Sequence, residues 1–301
     1  MKVKEFIEKY FWALLIAGIF IGVWLPVPFE VPHSLPELLL GMMLFLVFLK
    51  IDALEILENI KNYKLMIYIT IIYMFIVPLF FFFLIRFFDK DLALGILLLT
   101  AMPAGVSTPA LTDILRGNIP LAMSIAVITQ LVAPFTVPLL FWMIGSGGLE
   151  INKLLILKDI AMIVFLPLII SQLIKRYFPR AVNKGQHFFT SANILLLFIF
   201  VYIVISSQRE IILNNPASLI WKTAVLYLVF ALLHVIGYFV CHKEKKENKI
   251  ALSVSAAYMN NGLAIVLAST YFGPEILVLM VLSEIPWNTL LAPFKRIARH
   301  L

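Results

Sequence analysis

Residues 101–110 read Ala-Met-Pro-Ala-Gly-Val-Ser-Thr-Pro-Ala and interrupt an otherwise apolar segment that runs from 92 to 115. Two prolines and a glycine in a membrane-length helix remove backbone hydrogen bonds where no water can replace them. Such a break is tolerated only where neighbouring protein satisfies the freed groups or where it lines a wet cavity. A second break, Met-Asn-Asn-Gly at 259–262, follows about 150 residues later. Paired interruptions of this kind are typical of transporter substrate sites.

The composition requires a membrane protein. Of the 301 residues, 62% are hydrophobic and 14% are charged, and the mean hydropathy is +1.00. A soluble domain has about half apolar and about 25% charged residues. Residues 65–85 alone form a run of 21 without a charge, which is enough to cross a hydrocarbon core of about 30 Å. We therefore expect an all-α, polytopic protein in the lipid bilayer with almost no domain outside it.

Charge and cysteine content narrow the possible partners. The net charge of +7 comes from basic residues in short loops beside the spans, so we expect no nucleic-acid partner. The single cysteine, Cys241, excludes an intramolecular disulfide and a thiol-based metal cluster within one chain. We expect no cofactor and no obligate protein partner. The first apolar segment has no A-x-A cleavage site, so we expect it to be retained.

Apolar runs and their turn signals predict ten transmembrane helices, of which the fourth and the ninth are broken. Their predicted ranges are 10–27, 35–51, 63–86, 91–116, 118–145, 153–177, 183–206, 217–242, 246–271 and 275–296. With the N-terminus in the cytoplasm, 18 of the 24 Lys and Arg residues fall in inside segments and 6 in outside segments. Because cytoplasmic loops are enriched in basic residues, we expect both termini in the cytoplasm and the protein in the plasma (inner) membrane.

Breaks in the fourth and ninth helices divide the chain into five helices plus five. An odd number of spans per half makes the two halves opposite in topology. We therefore predict two inverted five-helix repeats, 1–150 and 151–301, in one integrated membrane domain, with the broken helices crossing near the midplane. Short similarities keep the same order: Leu-Val-Ala-Pro-Phe at 131–135 and Leu-Leu-Ala-Pro-Phe at 290–294.

The breaks expose half-helix ends, which bind ions. Their N-terminal ends carry partial positive charge and free N–H groups that favour a carboxylate, and their carbonyl ends favour a cation. Polar side chains in apolar spans are costly and usually have a partner or a task. The predicted substrate-binding residues are Ser107, Thr108, Gln130, Asn260, Asn261 and Asn288. For the two adjacent amides at 260 and 261, capping of the break is the structural alternative.

A second group of polar residues could bind a coupling ion. Its members are Asp113, Thr129, Ser255 and Glu284. Glu284 is the most isolated acid, and it either carries a proton or a cation or lies at the membrane interface. For Asp113, the alternative to coupling is a local ion pair with Arg116. No other metal site is predicted.

The first break and the helix after it resemble the bile acid:sodium symporter family. The family pattern there is Pro-Gly-Gly-x-x-Ser-Asn, a Lys/Arg-Gly-Asp turn, and Ala-Pro-x-x-x-Pro. In this chain, residues 103–109 read Pro-Ala-Gly-Val-Ser-Thr-Pro, residues 116–118 read Arg-Gly-Asn, and residues 133–138 read Ala-Pro-Phe-Thr-Val-Pro.

The second break extends the resemblance. The family shows Glu-x-Gly-x-Gln-Asn-Ser-Gly-Leu-Ala, then Phe-Gly-Pro and a later Asn. Here residues 255–264 read Ser-Ala-Ala-Tyr-Met-Asn-Asn-Gly-Leu-Ala, followed by Phe-Gly-Pro at 272–274 and by Asn288. The resemblance covers the ten-helix layout and implies a transporter of organic anions.

The departures from the family concern sodium. The positions that match the family's sodium ligands are Thr108, Pro109, Ala122, Ala126, Ser255 and Met259. Hard cations bind oxygen ligands, and four of these six side chains offer none. The resemblance therefore implies the family's fold and midplane site, while the residues indicate that the family's two sodium sites are lost. Backbone carbonyls at the breaks could still bind one sodium ion weakly.

The predicted function is secondary transport of a small organic anion, a carboxylate, by alternating access. A sodium-independent facilitator or a channel-like protein is the first alternative, and coupling by protons is the second. The sequence has no H-E-x-x-H, no G-x-S-x-G and no paired aspartates, so an intramembrane enzyme is not expected. Related arsenite permeases use a cysteine in the fourth helix, where this chain has none.

Overall fold

The computed structural model describes residues 10–32, 34–51, 62–145, 152–214 and 216–300, and every regular element in these ranges is a helix. In chain order the helices are α1 Phe11–Trp24, α2 Ser34–Phe48, α3 Tyr63–Ile85, α4 Lys90–Thr100, α5 Thr108–Ile114, α6 Ile119–Met143, α7 Lys153–Tyr177, α8 Pro179–Ser207, α9 Arg209–Asn214, α10 Pro216–Phe239, α11 Lys246–Ala257, α12 Asn261–Tyr271, α13 Pro274–Leu282, α14 Glu284–Thr289 and α15 Leu291–His300.

Length and composition identify the membrane-crossing helices. Within the described residues, six helical stretches are long and apolar enough to span a bilayer. They are Tyr63–Ile85, Ile119–Met143, Leu154–Tyr177, Pro179–Ser207, Leu219–Phe239 and Pro274–Ala298. The expectation of a multi-pass membrane protein is therefore confirmed. The count of ten spans stays a prediction, and some of the basic residues behind the predicted orientation, such as Lys2 and Lys61, lie outside the described residues.

The last predicted helix is not one continuous helix. It consists of α13, α14 and α15, which are separated at Ser283 and Leu290. Proline explains both interruptions because it has no N–H to donate four residues back. Pro286 leaves the Leu282 carbonyl without that donor, and Pro293 does the same to Thr289.

The described residues form two compact units, and each unit draws on both halves of the chain. The first unit lies within Met1–Asp52 and Asp159–Pro216. There α8 packs against α1 and α2. Polar side chains satisfy carbonyls at the ends of these helices: the Tyr202 hydroxyl donates to the Leu25 carbonyl at 3.0 Å, and the Gln172 amide donates to the Phe48 carbonyl at 3.1 Å.

The second unit lies within Ala53–Lys158 and Ala217–Leu301 and contains both predicted breaks. Here α6 packs against α5 and α11, while α13 packs against α4 and α12. Gly237 permits a close approach of α10 to α11, since a Cβ there would lie 2.7 Å from the Ser253 Cα. Helices from both halves of the sequence therefore surround the two breaks.

Candidate functional site

The first break is a seven-residue segment. Helix α4 ends at Thr100 and α5 begins at Thr108. Pro103 cannot donate a backbone hydrogen bond, which prevents the helix from continuing. Pro109, in contrast, lies in the first turn of α5, where a missing N–H costs nothing. The prediction that both prolines belong to the break is therefore wrong for Pro109.

The second break is shorter, because only Tyr258, Met259 and Asn260 separate α11 from α12. It starts one residue before the predicted Met-Asn-Asn-Gly segment, and Asn261 already belongs to α12. Asn260 is the N-cap of α12, and its side-chain oxygen accepts a hydrogen bond from the Leu263 N–H at 3.1 Å. This bond satisfies one of the free N–H groups at the start of that helix.

The two breaks bind each other through their backbones. Ala104 and Met259 form an antiparallel bridge. On either side of it, the Gly105 N–H donates to the Tyr258 carbonyl at 2.7 Å, and the Asn260 N–H donates to the Pro103 carbonyl at 2.8 Å. We refer to residues 101–107 and 258–260 as the crossing. Protein groups thus satisfy part of the backbone that the breaks set free, as an apolar environment demands.

Gly105 makes this approach possible. A Cβ at that position would lie 2.9 Å from the Tyr258 carbonyl oxygen and 3.0 Å from the Met259 carbonyl oxygen. Both contacts are with backbone atoms of a paired segment, so they cannot be relieved by a side-chain rotation. A larger residue would separate the two breaks.

Two hydroxyl groups among the predicted site residues form hydrogen bonds with the backbone of the crossing. The Thr129 hydroxyl accepts a hydrogen bond from the Ala104 N–H at 3.1 Å and donates to the Ile125 carbonyl at 2.7 Å. The Thr108 hydroxyl donates to the Gly105 carbonyl. Both side chains are fully buried. Each hydroxyl proton is therefore already used within the protein.

A small cavity of about 10 Å³ adjoins the crossing, about the space of one water molecule. One wall of it is a π-helical segment of α3, Ile72–Ile76, in which the Val77 N–H donates five residues back, to Ile72. Single π-helical turns occur frequently at functional sites. The residues that line the cavity are Tyr73, Met74, Val77, Thr100, Met102, Ala104, Leu233, Ser255, Ala256 and Met259.

Several buried polar atoms of the second unit have no hydrogen-bond partner within the described part of the chain. They are Thr112 Oγ1, Gln130 Oε1, His234 Nε2, Ser255 Oγ, the Tyr258 hydroxyl, Asn260 Nδ2, Asn261 Oδ1 and Asn288 Oδ1. Most buried polar groups in proteins are paired. Four of these residues, Ser255, Tyr258, Asn260 and Asn261, lie in the second break or within three residues of it, where their free atoms are available to a polar ligand or to water.

A cluster of polar side chains connects α12 with α14. The Asn261 amide donates to the Ser283 hydroxyl at 2.9 Å, and that hydroxyl donates to the Met280 carbonyl at 2.6 Å. The Asn288 amide donates to the Glu284 backbone carbonyl at 2.7 Å and to its carboxylate at 3.3 Å. Glu284 is only 5% exposed, so protein encloses its side chain within this unit. Its depth in the membrane stays a prediction.

The remaining predicted residues are less enclosed. Ser107 is half-buried and makes no capping bond to α5. Asp113 is exposed, and its backbone carbonyl accepts from the Arg116 N–H at 2.9 Å. Arg116 adopts a positive φ of 59° in this turn. Of the predicted coupling-ion candidates, Asp113 is thus the one that is not buried.

Three aromatic residues at the crossing were not predicted. The Tyr73 hydroxyl donates to the Leu252 carbonyl at 2.9 Å, the Trp287 indole donates to the Met259 carbonyl at 3.3 Å, and Tyr258 packs edge-on against Trp287. Pro286 and Asn288, which flank Trp287, were a usable signal for that residue. Nothing in the local sequence marks Tyr73 or Tyr258, because aromatic residues are common in apolar spans.

The paired breaks and the buried polar atoms around them suggest a transporter. Comparison with protein families identifies the family to which the chain belongs. The model of the SBF-like CPA transporter family matches residues 9–290. The chain belongs to this family. Membership shows a membrane transporter of the bile acid:sodium symporter type and not an enzyme, and it confirms the resemblance found in the sequence.

The family relatives are bacterial and plant proteins. The chain is 25% identical over 281 residues to YocS of Bacillus subtilis, named an uncharacterized sodium-dependent transporter, and the match covers 91% of this chain and 85% of that protein. It is 26% identical over 222 residues to the uncharacterized protein PA2026 of Pseudomonas aeruginosa, covering 70% and 67%. It is 22% identical over 187 residues to the probable sodium/metabolite cotransporter BASS1 of rice chloroplasts, covering 60% and 44%.

Proposed function

We propose that this member of the SBF-like CPA transporter family carries a small organic anion, a carboxylate, across the plasma (inner) membrane by alternating access. One observation carries the proposal: the backbones of two interrupted helices pair at Ala104 and Met259 beside a set of buried polar atoms that lack protein partners. A ligand with several polar atoms would satisfy them.

The side chains near the second break favour an anion. The Asn260 amide nitrogen is a buried donor without an acceptor, and Asn260 caps the N-terminus of α12. Helix N-termini offer free N–H groups and partial positive charge. The hydroxyls of Tyr258 and Ser255 add two further potential donors. A carboxylate is acceptor-only, and it is the ligand that this set of donors fits.

We also propose ten spans in two inverted repeats. The first compact unit takes the first two predicted helices of each half of the chain, and the second unit takes the last three of each half. This division supports an ancient duplication at about residue 150. The predicted topology places the 116–118 turn and the start of α11 on the cytoplasmic side. In its support, the Asn118 N–H donates to the Glu247 carbonyl at 2.9 Å, and its side-chain amide donates to Asn248 at 2.8 Å.

The residues at the family's sodium positions do not fit sodium. Pro109, Ala122, Ala126 and Met259 provide no side-chain oxygen. The hydroxyls of Thr108 and Ser255 are therefore the two side-chain oxygens at these six positions. Because hard cations bind several oxygen ligands, we infer that transport is not driven through the family's two sodium sites.

Uptake into proteoliposomes tests the function. Purified protein would be reconstituted and offered a panel of labelled carboxylates, with a sodium gradient, a proton gradient or no ion gradient imposed. We expect saturable uptake of at least one small carboxylate and no uptake in protein-free liposomes.

The dependence on ions separates the alternatives. Accumulation above the external concentration under a sodium or proton gradient indicates secondary transport, whereas equilibration without accumulation indicates a facilitator. Concentrative uptake that saturates with sodium at equal pH, with a Hill coefficient near two, would refute the loss of the family's two sodium sites. Absence of uptake for the entire carboxylate panel would refute the proposed substrate class.

A further inference from the structure

His234 is a buried base outside the residues assigned to substrate binding. Its side chain on α10 is 5% exposed, whereas no Lys or Arg with a described side chain is buried. The buried acid of the same unit, Glu284, would repel a carboxylate when it is ionised. Among the described residues, His234 is therefore the buried side chain that can supply a positive charge to an anion.

The hydrogen bonds of His234 determine which ring nitrogen carries its proton. The Ser253 hydroxyl donates to the His234 backbone carbonyl at 2.8 Å, and the oxygen of that hydroxyl lies 3.0 Å from Nδ1. Because the hydroxyl has a single proton and the carbonyl accepts it, Nδ1 must donate to Ser253. Nε2 then has a lone pair instead of a proton, and this nitrogen is buried without a partner within the described residues. It can therefore accept a proton.

Aromatic rings connect His234 to the crossing and favour its protonated form. The imidazole stacks on the Phe294 ring of α15, with 4.1 Å between the centroids and 23° between the planes. A cation within about 6 Å of an aromatic face is attracted to it. The Tyr258 ring of the second break packs edge-on against the imidazole, with a centroid distance of 5.4 Å. Tyr258 also has one of the free hydroxyls that we assign to the substrate.

We propose that His234 takes up one proton when the carboxylate binds, so that imidazolium and carboxylate form a neutral pair. Either charge alone is costly in an apolar environment, whereas an opposite charge nearby offsets this cost. His234 is therefore neutral in the substrate-free protein and protonated in the complex. The proton passes from the solvent to Nε2, and no bond of the substrate changes. This role rests on the proposed function and makes the proton the coupling ion.

The neighbours of the imidazole limit the groups that could bind the proton instead. Three elements place a side chain against the ring: α11 with Ser253, the second break with Tyr258 and α15 with Phe294. None of these side chains changes its charge near neutral pH. The competing group is the Glu284 carboxylate, which is buried in the same unit.

Calorimetric titration of the purified protein tests the role of His234. The carboxylates of the uptake panel, including acetate, benzoate and succinate, would be titrated in buffers of different ionisation enthalpy. The dependence of the measured enthalpy on the buffer gives the number of protons taken up. At about pH 7.5, where a free imidazole is mostly neutral, we expect about one proton per bound carboxylate in the wild type. By linkage, the Kd should then rise by up to about tenfold from pH 7 to pH 8.

Three variants separate the proton from the structural role of the residue. In His234→Asn, the NH₂ group can still donate to Ser253, but the side chain does not titrate, so proton uptake and the pH dependence of the Kd should be lost. The matched control is Ser253→Ala, which removes the hydrogen bond, keeps the imidazole and should retain proton uptake. Glu284→Gln should retain it as well.

The outcomes distinguish the proton site from the proposed function. Binding of a carboxylate to the wild type without proton uptake would overturn the role of His234 and leave the function standing. Proton uptake that is lost in Glu284→Gln but kept in His234→Asn would also overturn it. If His234→Asn does not fold, spectra of the wild type with ¹⁵N-labelled histidine give the same decision, because ring nitrogen shifts distinguish imidazole from imidazolium. The absence of binding for every carboxylate would refute the proposed function and this role together.

Discussion

The two breaks reach the same backbone pairing by different means. The first one extends over seven residues, 101–107, and contains Pro103 and Gly105, which disfavour a continuous helix in any surroundings. The second one has only three residues, 258–260, and contains neither proline nor glycine. The first break is thus determined locally, whereas the second depends on its contacts.

Those contacts come mainly from the first break. The Asn260 N–H is bonded to the Pro103 carbonyl, and the Tyr258 carbonyl is bonded to the Gly105 N–H. Without these partners, two buried polar groups of the second break would be unsatisfied at a cost of about 1–3 kcal/mol each. A break that its own residues determine is therefore paired with a break that depends on this pairing.

The helices that follow the two breaks differ in how their N-termini are capped. Asn260 caps α12 with its side chain, whereas Ser107 makes no such bond to α5. In addition, the amide nitrogen of Asn260 remains free. In Asn260, the side-chain oxygen therefore caps α12 while the side-chain nitrogen is a donor without an acceptor.

The largest expected effect is that of Gly105→Ala. The new Cβ would meet the backbone of both Tyr258 and Met259, so the two breaks must separate and lose their shared hydrogen bonds. We expect the free energy of unfolding to fall by about 1–3 kcal/mol and uptake to be lost. Chemical denaturation and the proteoliposome assay measure the two quantities.

The control for this variant is Gly273→Ala. Gly273 is the N-cap of α13, and a Cβ there has no heavy atom within 4 Å, so Gly273→Ala should lose only the preference of an N-cap for glycine over alanine, about 1 kcal/mol or less, and should keep uptake. If Gly105→Ala were as stable and active as this control, the close approach of the breaks would not be required.

The second effect concerns the support of the first break. Thr129→Val keeps the shape of the side chain but leaves the buried Ala104 N–H without its acceptor. We expect a loss of about 1–3 kcal/mol in the free energy of unfolding, measured by the same denaturation. Thr129→Ser, which keeps the hydroxyl, should be closer to the wild type.

The matching change at the second break should have a smaller effect. Trp287→Phe removes the indole bond to the Met259 carbonyl, but that carbonyl also accepts from the Asn261 N–H at 3.0 Å. We expect a loss below about 1 kcal/mol. Equal losses in Thr129→Val and Trp287→Phe would contradict the expectation that the Asn261 N–H keeps the Met259 carbonyl satisfied.

Small stability effects, comparable to that of Trp287→Phe, are expected at the two N-caps. Asn260→Ala removes a capping bond and should cost about 1 kcal/mol, while Ser107→Ala removes none and should cost less than about 0.5 kcal/mol. Asn260→Ala should also weaken binding of the transported carboxylate by about 1–3 kcal/mol. Binding would be measured by titration calorimetry on the folded variants.

Capping and ligand binding can be separated at this residue. Asn260→Ser keeps an oxygen that can cap α12 but has no amide nitrogen. If the free nitrogen contacts substrate, this variant is stable but binds the carboxylate weakly. Full affinity in both Asn260→Ser and Asn260→Ala would restrict Asn260 to a structural role.

The sequence identified several residues of the site but not the contacts between them. Pro103, Gly105 and the adjacent amides at 260 and 261 were identifiable because prolines, glycines and amides are rare and costly within apolar spans. The contact between Thr129 and Ala104 was not identifiable, since it joins α6 to a residue of the first break 25 positions away. The same holds for Tyr73, whose partner Leu252 is 179 residues away.

By itself, the sequence determined that this protein lies in a membrane, that its regular structure is helical, and that one helix must break near Pro103. These properties follow from composition and from the missing N–H of proline, which act over a few residues. Only the tertiary structure decided which atoms the breaks bind, that Glu284 is buried, and which polar atoms remain free. Hydrogen bonds between distant segments depend on how the helices pack, and local sequence does not record that packing.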